Sequence, residues 1–96
     1  MRDVEFEWDE IKNRQNTAKH GLDFHVAVLV FTDPHRLEKY DLGHNEDEDR
    51  WIVIGMVVPS VLVVIYTERQ GGEVVRIVSA RQANEKERRE YYQSQN

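Results

Sequence analysis

The chain has no cysteine, only two prolines and five glycines, and no apolar run longer than six residues. Without cysteine there is no disulfide and no thiolate chemistry, which agrees with a reducing cytoplasm. Runs this short cannot cross a bilayer, which takes about 20 apolar residues as a helix. The first ten residues carry five acids and no apolar stretch, so no export signal is expected and the location expected is cytoplasmic. Also missing are a Gly-rich phosphate loop, a nucleophile elbow and an HExxH zinc motif. The pairs His20/His25 and Asp41/His44 have no zinc-site spacing. Neither a metal nor a cofactor is therefore expected.

What is present fits one domain spanning residues 1–96. Such a chain supports one modest core and gains from a partner. The net charge of −5 argues against tight, general nucleic-acid binding. Its distribution leaves room for a local basic face. Residues 1–10 hold Asp3, Glu5, Glu7, Asp9 and Glu10 against Arg2, a balance of −4. Residues 38–49 hold six acids against Lys39, a balance of −5. Residues 50–81 hold Arg50, Arg69, Arg76 and Arg81 against Glu68 and Glu73, a balance of +2. Docking depends on such a local face more than on the total.

Val4 to Trp8 alternates apolar and acidic residues and predicts a strand. Asp9 can cap a helix over about residues 10–19 that ends at Gly21 and has only Ile11 and Ala18 for packing. Asp23 can cap a second helix whose Phe24, Ala27, Val28 and Phe31 share a face, with Leu22 stapled to Ala27 and Pro34 as its stop. Strands are predicted at Arg36 to Leu42, Arg50 to Val58, Val61 to Thr67 and Val74 to Val78. Gly43 to Asp49 reads as an acidic loop, Pro59-Ser60 as a turn and Gly71-Gly72 as a hairpin turn. Ser79 with Gln82 matches a capping box for a charged last helix reaching about Tyr92. The order β-α-α-β-β-β-β-α predicts an α+β fold: an antiparallel sheet with helices on one face and the other face partly open, or closed by a partner.

Several residues invite a chemical reading. Trp8 and Trp51 can stack a nucleobase, or simply fill the core. Lys19-His20-Gly21 presents a cation beside an imidazole that titrates near neutrality, and it equally satisfies the needs of a helix C-terminus. Arg76 interrupts an apolar strand, a costly position for a charge unless it is paired or points outward. Strict alternation puts Arg81 on the opposite face, although a helix beginning at Ser79 breaks that count. Arginine's planar fork suits a phosphoryl transition state, while ion pairs with Glu48, Glu68 or Glu87 are the structural alternative. The charges from Glu85 to Glu90 read as a solvated face with i,i+4 pairs.

One ordered set of residues covers nearly the whole chain. It runs Phe6-x-Trp8-Asp9-x-x-Lys12, Asn16, Lys19-His20-Gly21, Phe24, Ala27 and Phe31-x-Asp33-Pro34. It continues through Glu48-x-Arg50, Ile54-Gly55, Leu62 to Thr67, Arg69, Arg76 to Arg81, Ala83, Glu87-Arg88 and Tyr91. In this the chain resembles the BrnT-type toxins, the ribonuclease members of type II toxin–antitoxin pairs, whose fold is similar to that of RelE-type toxins. The resemblance implies a RelE-like domain that cleaves RNA without a metal and slows translation. It implies a BrnA-like ribbon-helix-helix antitoxin as partner, RNA as substrate, and operator DNA reached only through the antitoxin. On the same basis, Arg76 and Arg81 would hold the phosphate with Arg50 assisting. Lys19 or His20 would handle protons, and Lys12 and Arg69 would steer the RNA backbone. A competing reading is a catalytically inactive module that only pairs with an antitoxin-like DNA-binding protein. A third, a metal-dependent small-molecule enzyme, lacks the ligand spacing it needs.

Overall fold

The computed structural model describes residues 4–42 and 48–95. Most of the expected acidic loop, with His44, lies outside the described residues. Strand β1 (Glu5–Glu7) leads into helix α1 (Glu10–His20) and the short α2 (Phe24–Ala27), which runs on as a 3-10 turn at Val28–Thr32. Four strands follow: β2 (Leu37–Tyr40), β3 (Trp51–Val57), β4 (Ser60–Arg69) and β5 (Val74–Gln82). Helix α3 (Glu85–Gln93) closes the chain.

The fold is α+β, with one open sheet of five strands in the order β1-β5-β4-β3-β2. Strands β2 to β5 form the expected antiparallel meander. The sheet is not antiparallel throughout, because Glu5, Phe6 and Glu7 pair in parallel with Val74, Val75 and Arg76. The helices carry the chain across the sheet to its far edge. The meander then returns strand by strand, so β5 arrives beside β1 running in the same direction.

Asp9 caps α1 by accepting from the Ile11 amide at 2.9 Å, and Gly21 ends it in the left-handed region at φ 70°. The face that α1 buries is not the expected one. Ile11 is 63% exposed and Ala18 is exposed, whereas Asn13 (2%) and Asn16 (8%) are buried. The Asn16 amide donates to the Ala80 carbonyl at 2.8 Å and to the Leu22 carbonyl at 3.0 Å, and its oxygen accepts from the Ala80 amide at 3.1 Å. Asn13 accepts from the Phe24 amide at 2.8 Å. Amide side chains thus take the place of apolar packing, and Asn16 satisfies a stretch of β5 that lies beyond its pairing with β1.

The last helix is capped five residues later than expected, at Asn84 and not at Ser79. Strand β5 stays paired with β4 as far as Gln82, and the ladder's hydrogen bonds override a local capping preference. The capping box is Asn84 with Glu87 instead.

The sheet buries both faces, so the helices do not all lie on one side. On the first face Phe24, Ala27 and Val30 pack against Val53, Leu62, Val64, Tyr66, Ile77 and Ala80, with Trp8 and Trp51 half-buried at the margin. Gly55 lets the 3-10 turn approach, since a Cβ there would sit 3.2 Å from both the Val30 Cβ and its carbonyl oxygen. On the second face Tyr91 of α3, with Ala83, covers Ile54, Val61 and Val63. Helix α3 buries only this one side chain, so it covers one end of that face and leaves the other end open.

Candidate active site

Pairing register decides which arginines meet. In β4, Val61, Val63 and Ile65 face the second side, and so by alternation does Thr67. Arg76 pairs with Thr67 and Arg81 pairs with Val63, so both point to the second face. Simple alternation had separated them. The register shifts between Ile65 and Tyr66, whose partners are Ser79 and Ile77, leaving Val78 without a partner. This one-residue bulge reverses the alternation within β5 and places Arg76, Ser79 and Arg81 on one side.

Arg50 joins the same face. Asp41 N donates to the Arg50 carbonyl at 2.9 Å, so the β2–β3 ladder continues one residue past the Tyr40–Trp51 pair. Trp51 pairs with Tyr66, which sets Arg50 beside Thr67. A row therefore runs across the sheet: Arg50 just before β3, Thr67 on β4, Arg76 on β5 and Glu7 on β1. Arg69, two residues beyond Thr67, lies on the same side.

Three of these arginines are held by carboxylates. Arg76 Nη1 donates to Glu7 Oε2 at 2.7 Å. Arg69 Nε lies 3.7 Å from the same Glu7 oxygen, and its Nη2 donates to Glu48 Oε2 at 3.4 Å. Arg81 makes a fork with Glu87, at 2.7 and 2.8 Å. The hydrogen bond from Arg81 holds the Glu87 carboxyl below its ordinary pKa against the opposing effect of burial, and the same bond raises Arg81. Of the ion pairs expected from sequence, those with Glu48 and Glu87 form, while Arg76 is held by Glu7 instead.

Arg50 differs from the other three. It is half-buried, and no carboxylate of the described residues pairs with it. Its Nε is enclosed without a hydrogen-bond partner, as is Thr67 Oγ1 in a side chain only 2% exposed. These two orphaned polar atoms belong to neighbouring positions of the same row.

Lys12, Lys19 and His20 of α1 gather at the adjoining edge. Lys12, Gln15, Asn16, Lys19 and His20 line an open cleft of about 270 Å³ together with Val78 and Ser79 of β5. Their spacing of three and four residues makes them one stripe of the helix. Ser79 connects this cleft to the arginine face. A larger cleft of about 790 Å³ lies on the first face among Phe6, Val28, Phe31 and Val75, with Arg36, Glu38 and Tyr66 at its polar side. It is separated from the arginine row by the sheet itself. Among the described residues, no three His, Asp or Glu side chains gather as a metal site.

A profile of the family described as "Ribonuclease toxin, BrnT, of type II toxin-antitoxin system" matches residues 8–87. The chain belongs to the BrnT family. Comparison with curated proteins finds no match. The BrnT match takes in Arg50, Thr67, Arg69, Arg76 and Arg81 and the whole α1 cleft, while Glu7 and Tyr91 fall outside it. Membership in this BrnT family makes a ribonuclease toxin the general class and an antitoxin the implied partner. The sequence reading had not singled out Glu7, Thr67 or Ser79 for the site. Only the alternation of Val4 to Trp8, which puts Glu5 and Glu7 on one side, hinted at a carboxylate row.

Proposed function

We propose that this chain is the toxin of a type II module and cleaves RNA without a metal, inhibiting translation in the cytoplasm. We further propose a RelE-like arrangement, with a BrnA-like ribbon-helix-helix antitoxin that neutralises the toxin and carries the complex to operator DNA. The observation that carries the reading is the row Arg50–Thr67–Arg76–Glu7 on the open end of the second face.

In such a cleavage the ribose 2′-oxygen forms a bond to phosphorus and the bond to the 5′-oxygen breaks. The products are a 2′,3′-cyclic phosphate and a 5′-hydroxyl. One proton leaves the 2′-hydroxyl and one reaches the departing 5′-oxygen. Arg50 and Arg76 stand two strand spacings apart, roughly 10 Å between backbones. Their long side chains can close on one phosphate and offset the charge that develops on it. Arg81 lies four β4 positions further along, roughly 14 Å away, and meets a neighbouring phosphate. Lys19 or His20 handles protons from the α1 cleft, and Lys12 and Arg69 guide the strand.

The test is induced expression of the wild type beside the double variant Arg50→Ala plus Arg76→Ala, following growth and total RNA. Arrest and RNA loss with the wild type alone, at matched soluble levels, support the toxin. Normal growth and intact RNA with the wild type overturn it. The competing reading, a module that only binds an antitoxin-like partner, draws on the carboxylates that occupy Arg69, Arg76 and Arg81. Purified protein that leaves RNA intact yet forms a stable complex with the partner favours that second reading.

A further inference from the structure

We propose that Arg50 and Thr67 form an oxyanion-binding pair, and that the Thr67 hydroxyl is a substrate-binding group donating to a non-bridging phosphate oxygen. This rests on the ribonuclease reading only for the identity of the phosphate.

Thr67 sits at the centre of the row, with Arg76 as its partner on β5 and Arg50 on its other side, just before β3. Its hydroxyl is fully enclosed and has no partner, and the Nε of the neighbouring Arg50 is in the same state. Buried polar groups are ordinarily satisfied, because each one left bare costs free energy that nothing returns. Here two donors are left bare at neighbouring positions of the row, on the face to which Arg50, Arg69, Arg76 and Arg81 point. Donors without an acceptor call for an anion. Carboxylates of this chain already occupy Arg76, Arg69 and Arg81, but none of the described ones pairs with Arg50. On the other side Arg76 is the register partner of Thr67, and its guanidinium is anchored by Glu7 at 2.7 Å. A tetrahedral phosphate seated above Thr67 takes one donor from below and one from each side. Valine at this position would serve the strand equally well by size, so a hydroxyl with no bond inside the fold needs a reason outside it.

The experiment titrates the purified full chain with inorganic phosphate. It follows the Thr67 amide and the Arg50 Nε–H by NMR, for the wild type, Thr67→Val and Thr67→Ser. Saturable shifts at both groups are expected in the wild type. Thr67→Val should weaken phosphate by about tenfold or more, as for the loss of a hydrogen bond to a charged group, while Tm stays level or rises. Thr67→Ser should restore binding. Unchanged phosphate affinity in Thr67→Val overturns the assignment. So does a clear fall in its Tm, because the hydroxyl is then satisfied within the fold. RNA cleavage is read separately. Phosphate bound at Thr67 with RNA left intact leaves the pair standing and removes the ribonuclease reading. RNA cleaved as fast by Thr67→Val as by wild type does the reverse.

Discussion

The Tyr91 hydroxyl donates to Asp33 Oδ2 at 2.5 Å, and both residues are buried. This bond joins the last helix to the turn before β2, across 58 positions of sequence. Asp33 is otherwise satisfied by two amides, of His35 and Met56, each at 2.8 Å. It is one of the points at which α3 is tied down over the second face, beside the Arg81–Glu87 fork and the Lys39–Glu90 pair.

Burial acts to raise the Asp33 pKa, but the hydrogen bonds from Tyr91, Met56 and His35 outweigh it and hold the carboxyl below the ordinary 3.8. Asp33 therefore stabilises the fold above its unfolded pKa, and that contribution is lost as pH falls through the lower folded value. Burial, followed by the bond and the charge of Asp33, pushes Tyr91 up to about 12. Its contribution is present below its unfolded value of about 10 and lost as pH rises toward the folded one. Urea titrations across pH should show the wild type weakening below pH of about 4, with Asp33→Asn flatter in that acid limb. Tyr91→Phe should cost about 1–3 kcal/mol at neutral pH and reduce the alkaline loss, to which Tyr66, also pushed up by burial and by Glu38, still contributes.

Arg50 and Arg81 should separate activity from stability. Arg81 is tied to Glu87, which also closes the capping box at Asn84, so Arg81→Ala should loosen the start of α3 and cost about 1 kcal/mol. Arg50 has no carboxylate partner among the described residues, so Arg50→Ala should stay within about 0.5 kcal/mol of wild type. On the ribonuclease reading, Arg50→Ala should lower RNA cleavage by about 100-fold or more. Thermal melts alongside cleavage rates decide this. A large stability loss in Arg50→Ala with cleavage unaffected would reverse the roles.

Helix α1 should depend on its amides more than on its apolar side chains. Asn16→Ala leaves the Ala80 amide and carbonyl without their side-chain partner and the Leu22 carbonyl with only the Thr17 hydroxyl at 3.3 Å, and should cost about 2–4 kcal/mol. Ile11→Ala, on the solvent side, should stay within about 0.5 kcal/mol. Equilibrium denaturation of the pair measures the contrast directly.

Gly55→Ala should destabilise by about 1–3 kcal/mol, because the added methyl group meets the Val30 Cβ and carbonyl at 3.2 Å. The same measurement on Gly21→Ala tests a different cause. There the space is open, and the cost comes from the left-handed backbone at φ 70°.

The amino-acid sequence by itself determined the α+β class, the caps at Asp9 and Asp23, the glycine stop at Gly21 and the apolar central strand β4. These follow from short-range physics: a side chain that competes for a backbone amide, a residue free to take positive φ, and alternation along one strand. It also marked Lys19, His20 and the arginines after residue 50 as the residues with chemistry to offer. Only the tertiary structure decided how they are grouped. Strand pairing held β5 extended to Gln82 where local signals favoured a helix at Ser79, and the bulge at Val78 turned Arg76 and Arg81 to one face. The parallel placement of β1 brought Glu7 to Arg76 across 69 positions of sequence. The register of β3 against β4 set Arg50 beside Thr67. Register depends on partners far away in the chain, and a shift of one residue sends a side chain to the other face, so no local pattern along this chain carried that information.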